Sequence, residues 1–192
     1  MKKLFLVGGG GHCVSCIDVI EQSQKYLISG IFDLPEKVGT QILGYSIIGS
    51  DEDLRKYVHP DHFFLITLGQ IKSPELRMKK FATLKSWGAQ FATVTSPRAY
   101  ISQHAKLGEG TIILHDALVN SNAQIGENCI VNTKALIEHD SVVSGHCHIS
   151  TGAIVNGGCS IGEGSFVGSN AVLRETLQVP AKSILGAGGF HR

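Results

Sequence analysis

The chain has no excess of charge of either sign. Seventeen Lys and Arg stand against sixteen Asp and Glu, and only 17% of the 192 residues are charged. That balance supplies no basic footprint for nucleic acid and no like-charge block long enough for a tail. Long hydrophobic runs are missing too. The opening MKKLFLVGGGGH carries two lysines, but its apolar run stops after LFLV, too short for the core of a signal peptide. No stretch approaches the ~18 apolar residues of a membrane span. Nor is there a paired cysteine framework. Five cysteines, at positions 13, 16, 129, 147 and 159, cannot all pair, and free thiols fit a reducing compartment. These absences predict a soluble cytoplasmic protein with no membrane insertion and no nucleic-acid partner. What the chain has is 43% apolar residues, enough for a real core, and 23 glycines outside any low-complexity tract.

Two halves follow different periods. Over residues 1–95 apolar runs alternate with helical patterns. KLFLVG reads as a buried strand, and CVSCIDVIEQSQ as a helix with Cys13, Cys16, Ile17 and Ile20 on one face. LISGIFD, FFLITLG and QFATV read as further strands. SDEDLRKYV reads as a short helix capped by Ser50, and SPELRMKKFATLKSWG as a long one with Pro74 near its start. Strands alternating with helices imply a small Rossmann-like parallel α/β domain.

From residues 96–192 the grammar is six. Cut at Ile101, the chain falls into fifteen hexads, ISQHAK LGEGTI ILHDAL through VPAKSI LGAGGF, each beginning with Ile, Leu or Val. The fifth position is Ala, Ser, Thr, Cys or Gly in every hexad but the one holding Leu177. Such a register means a parallel β-helix of three short strands per eighteen-residue coil. The first position fills the interior, the small fifth lets the chain turn inward, and glycines in positions two to four serve the corners. Cys129 and Cys147, eighteen apart at fifth positions, read as stacked interior residues rather than nucleophiles. Cys13 and Cys16 read as helix packing rather than a redox pair.

Repeats of the form [LIV]-G-x-x-[small]-x, together with the GGGGH turn and NTKALIEHDSVVSGHCHISTGAIVNGG, resemble the bacterial nucleotide-sugar and sialic-acid acetyltransferases, in particular the UDP-4-amino-sugar N-acetyltransferases. The resemblance covers almost the whole chain. It implies a left-handed β-helix, a homotrimer with active sites between neighbouring β-helices, acetyl-CoA as donor and no metal. The acceptor it implies is the amino group of a UDP-linked 4-amino sugar used for bacterial surface glycan or protein glycosylation. O-acetylation of a sialic-type acid is the alternative.

The acceptor loses a proton as it attacks the thioester, so the reaction wants a base near neutral pKa. By the resemblance His139 is that base and Asp140 orients it. Gly157, one coil above His139, implies a backbone N–H for the developing oxyanion. His148 matches a histidine near the donor, and Asn132 lines the same cleft. Gly168 and Ala187 are expected along the CoA path. Gly8, Gly10, Gly11 and His12 form a strand-to-helix glycine turn suited to a diphosphate. Asp33 ends the second strand where a ribose or base contact is expected. Gly69 lies in the matching second loop, TLGQIKSPELR, from which Lys72 or Arg77 could reach phosphate. His146 has no counterpart and reads as a solvated corner. Relatives usually continue past S-I-L-G-x-G with a coil that helps hold acetyl-CoA, so the ending LGAGGFHR bears on donor affinity. Two other readings remain. One is a zinc enzyme of the carbonic-anhydrase type drawing on His115, His139, His146 and His148. The other is a non-catalytic sugar-nucleotide-binding protein.

Overall fold

The computed structural model describes all 192 residues. Strand β1 (Lys2–Val7) enters the first core with four consecutive buried residues, as a strand covered on both faces must. The glycine turn leads into α1 (Gly11–Ser23), which buries Cys13, Cys16, Ile17, Val19 and Ile20. β2 (Tyr26–Phe32) pairs parallel to β1. Residues 34–49, which carry no clear strand pattern, add β3 (Gln41–Ile42) and β4 (Tyr45–Gly49) as an antiparallel hairpin. Its two-residue turn is set by positive φ at Leu43 (47°) and Gly44 (84°). β5 (His62–Ile66), α2 (Glu75–Ser86) and β6 (Gln90–Phe91) complete a sheet of order β3-β4-β2-β1-β5-β6, parallel throughout except for β3.

Two expectations change in detail. The helix expected at 50–58 contracts to a single 3-10 turn at Leu54–Tyr57, preceded by a turn in which the Asp53 carboxylate accepts from the Ser50 N–H at 3.0 Å. The strand expected at 90–94 divides. Gln90–Phe91 stays in the α/β sheet, whereas Val94–Thr95 pairs with Ile112–Ile113 as the first strand of the β-helix.

The second half stacks two-residue strands eighteen apart into three flat faces. The first face runs from Val94–Thr95 through Ile130–Val131 and His148–Ile149 to Ile184–Leu185. The second runs from Tyr100–Ile101 through Leu136–Ile137 to Phe190–His191, and the third from Lys106–Leu107 to Gln178–Val179. Interior first positions such as Val119, Ile137 and Val155 are fully buried, alternating with small fifth residues such as Ala135, Cys147 and Ala153. Each buried Val or Ile contributes roughly 1.5–3 kcal/mol.

Positive φ concentrates at one place in the hexad, the fourth position. It holds glycine at 110, 152, 158, 164 and 188, but also Asn122, Asn128, Asn170, Asp116, Asp140 and His146, and Lys134, Thr176 and Lys182 as well. Asn and Asp are the non-glycine residues that tolerate this conformation best. The α/β domain covers the first face, packing Leu4, Ile17 and Ile20 into one core with Val94, Ile112 and Ile130.

Candidate active site

His139 and Asp140 are the third and fourth residues of a corner joining the second face to the third. The positive φ of Asp140, 60°, turns its carboxylate back beside the preceding ring. His139 Nδ1 lies 2.8 Å from Asp140 Oδ2, and Asn122 Nδ2 donates to Asp140 Oδ1 at 2.7 Å from one coil below. The carboxylate therefore accepts a hydrogen bond from Nδ1–H, which leaves Nε2 as the unprotonated nitrogen of the neutral ring. Its hydrogen bond raises the His139 pKa above the ordinary value, while Asn122 and His139 together lower that of Asp140. Gly157 sits against the ring. A Cβ there would lie 2.8 Å from both Nε2 and Cε1 of His139, so only glycine leaves the imidazole its place. The Gly157 N–H makes no hydrogen bond within the chain and is free to serve an incoming oxygen. His139 is 62% exposed. Imidazole, carboxylate and free N–H thus share one open corner.

The other sequence-predicted residues gather elsewhere, along the first face and the α/β domain. His148 is buried there. Its Nδ1 lies 2.6 Å from the Gln70 carbonyl and its Nε2 3.1 Å from Asn132 Nδ2. Burial lowers its pKa to about 4 and that of His12 to about 3, so both rings are neutral near pH 7. The His12 and His148 rings stand 6.4 Å apart, with Gly69 against the His12 Cβ. His12 Nε2 and Gln70 Oε1 are both buried without hydrogen-bond partners. Gly168 and Ala187 lie farther up the edge between the first and second faces. There the Gly168 Cα packs onto the backbone of Ala187, where a Cβ would lie 2.5 Å from its nitrogen.

The glycine turn follows β1. Gly8 takes φ 107° and donates to the Phe32 carbonyl, and a Cβ there would strike Leu68 at 2.5 Å. Gly10 caps α1 with neither a side-chain cap nor an acidic residue in the first turn, so the Gly11 and His12 amides stay open while Cys13 N–H donates to the Gly10 carbonyl at 2.9 Å. Asp33 accepts from the Gly9 and Leu34 N–H groups at 3.1 and 2.8 Å and pairs with Lys37 at 2.9 Å. Its carboxylate holds the turn in shape.

Two residues depart from the sequence reading. Arg77, expected at the surface near phosphate, is 1% exposed. It donates to the Ile66, Leu68 and Asn128 carbonyls and to Asn128 Oδ1, tying the α/β domain to the β-helix. His146, expected in solvent, is buried edge-on against Phe81 with Nδ1 2.9 Å from Asn128 Nδ2. Both follow from α2 lying over that corner, which hexad spacing alone does not reveal. His115 sits at a third corner, between Ser96 and Asp18. Within one chain the four histidines of the zinc reading do not converge. Cys147 is a stacked interior thiol, pushed up in pKa by its contact with Cys129 and by burial.

Residues 3–84 match the family model of the PglD N-terminal domain. No curated protein matches the sequence. Solved structures match along nearly its full length. The acetyltransferase domain of PglB from Neisseria gonorrhoeae is 26% identical, with TM-score 0.90 over 99% of this chain and 91% of that one. That domain has also been solved with acetyl coenzyme A. PerB from Caulobacter crescentus, solved with CoA and GDP-perosamine, is 26% identical, with TM-score 0.91 over 99% of this chain and 88% of that one. WeeI from Acinetobacter baumannii shares the fold at 19% identity and TM-score 0.77, covering 99% of this chain and 96% of that one. An α/β domain that matches the PglD N-terminal model, joined to a left-handed β-helix and matched over nearly its whole length by PglB and PerB, makes the chain similar to the hexapeptide-repeat sugar acetyltransferases and identifies it as an acetyltransferase.

Proposed function

We propose that the protein transfers the acetyl group of acetyl-CoA directly to the amino group of a nucleotide-linked 4-amino sugar, with His139 as general base. The observation that carries this reading is the His139–Asp140 pair, its Nε2 left free against Gly157. As the amine nitrogen attacks the thioester carbonyl, its proton passes to Nε2, and Asp140 stabilises the imidazolium. The oxyanion accepts from the Gly157 N–H. Collapse breaks the C–S bond and releases CoA, which recovers a proton from the imidazolium. No covalent intermediate is needed, in keeping with cysteines that are all buried. PglB and PerB support this reading through the acetyl coenzyme A, CoA and GDP-perosamine of their complexes. The glycine turn and the open α1 N-terminus suit the diphosphate, for which the sequence resemblance implies UDP. The test is CoA release from acetyl-CoA with a panel of UDP-, GDP- and CMP-linked 4-amino sugars. Release with none of them would sink the reading.

The functional unit in this reading is a trimer. His139 stands at the corner away from the face that the α/β domain covers, so the glycine turn and the base meet through a neighbouring protomer. Support comes from the outward residues of the second face. Tyr100, Leu118, Leu136, Ile154, Val172 and Phe190 form an unbroken apolar ladder leading to the His139 corner, with Tyr100 and Phe190 60% and 64% exposed. The third face presents mainly polar residues outward, among them Lys106, Gln124, Ser160 and Gln178. An exposed apolar stripe of this length marks an interface. Ile154→Asp is expected to convert the trimer to monomers by light scattering, with circular dichroism unchanged and acetyl transfer lost. An unaltered oligomer would show that this face is not the contact.

A further inference from the structure

A cavity of about 280 Å³ opens at the carboxyl ends of β1, β2, β4 and β5, beside Gly8. In an open parallel sheet this is where ligands bind, and the size suits one nucleoside. Apolar walls from Leu34, Pro35, Leu68 and Leu76 suit the faces of a flat base. Polar groups come from the loop after β4 and from α2. Asp51 pairs with Lys80, and Glu52 makes no hydrogen bond or ion pair within the chain. The Asp33 oxygens are already engaged with the turn. The polar groups that face the cavity are thus the Asp51–Lys80 ion pair and the unpartnered Glu52, two acceptor-only carboxylates beside one ammonium donor that a base would have to draw from its pair.

We propose that this cavity selects guanine, so that the sugar substrate is carried on GDP. The inference rests on the nucleotide-sugar reading above and departs from the uridine implied by sequence. Guanine presents two adjacent donors, N1–H and the N2 amino group, next to the O6 acceptor. Asp51 and Glu52 accept from the donors while Lys80 donates to O6. Uracil presents the inverse pattern, one N3–H flanked by two carbonyls, so a carboxylate would face a carbonyl oxygen. Cytosine and adenine each offer a single amino donor and leave one carboxylate unpaired. Recognition of this kind works through the penalty on groups left unmatched.

Calorimetric titration of the full chain with GDP, UDP, CDP and ADP, in the absence of acetyl-CoA, tests it. GDP is expected to bind about tenfold or more tightly than the others, the scale of one charge-assisted hydrogen bond. Asp51→Asn and Glu52→Gln should each lower the GDP-to-UDP affinity ratio by about tenfold, with circular dichroism confirming the fold. UDP or CDP binding as tightly as GDP would overturn the guanine assignment and leave the acetyl-transfer reading standing. So would variants that change all four affinities equally. Binding of none of the four would overturn both this inference and the nucleotide handle beneath it.

Discussion

Replacing His139 with alanine is expected to lower kcat for acetyl transfer by about 10²–10⁴-fold, the usual contribution of a positioned base. KM for both substrates should stay nearly unchanged, because the ring is 62% exposed and contributes no packing to either domain. Loss confined to kcat identifies an interaction made in the transition state. Equal turnover by the alanine variant and the parent would remove His139 from the mechanism.

The same pair sets the pH dependence. His139 accepts a proton only when neutral, so the rate rises with pH through its pKa, which Asp140 holds above the ordinary histidine value. Asp140→Asn keeps a side chain that tolerates positive φ, as Asn122, Asn128 and Asn170 do at equivalent positions. Removing the charge lets the His139 pKa fall, so the inflection of the pH–rate profile moves to lower pH. The plateau drops because the imidazolium loses its partner. An unshifted inflection would mean that some other group titrates.

Why some of this was legible in sequence and some was not has a physical basis. A hexad register is written in every coil, because each first position must fill the interior and each fifth must be small. The β-helix could therefore be read residue by residue, down to Cys129 over Cys147. The His139–Asp140 pair was singled out by the resemblance of its I-E-H-D motif, and the two side chains meet because they are adjacent at one corner. The short elements at 41–57 were not, since a two-residue strand and a 3-10 turn carry too few residues to show a period. The seam between domains was hidden for another reason. His146, His148 and Gln70 meet across 76 and 78 residues of chain, and only the docking of α2 on the first face makes His146 an interior residue. Nothing in SPELRMKKF separates the buried arginine from its exposed lysine neighbours except its place on the helix.

That arginine gives the second large effect. Arg77 is a buried cation with no carboxylate partner, compensated by four oxygen acceptors and left with an unpartnered Nε. Burial lowers its pKa to about 10, so it remains charged at neutral pH. Two opposing terms decide what Arg77→Met would do. Removing an unpaired buried charge relieves a desolvation cost. Against that, the Ile66, Leu68 and Asn128 carbonyls and Asn128 Oδ1 all lose a charged donor, and such bonds contribute roughly 1.5–3 kcal/mol each. Four orphaned acceptors outweigh one relieved charge, for a net loss of about 3 kcal/mol. For a chain of this size that lowers Tm by roughly 6–12 °C. Arg77→Lys retains the charge, but one ammonium cannot span acceptors on β5, its following loop and the β-helix, so it should recover only part of the loss. Because Arg77 ties the domains together, amide exchange should quicken first at Leu68 and around Asn128. Thermal unfolding by circular dichroism with the midpoint unmoved in both variants would mean that the seam is held by its apolar contacts alone.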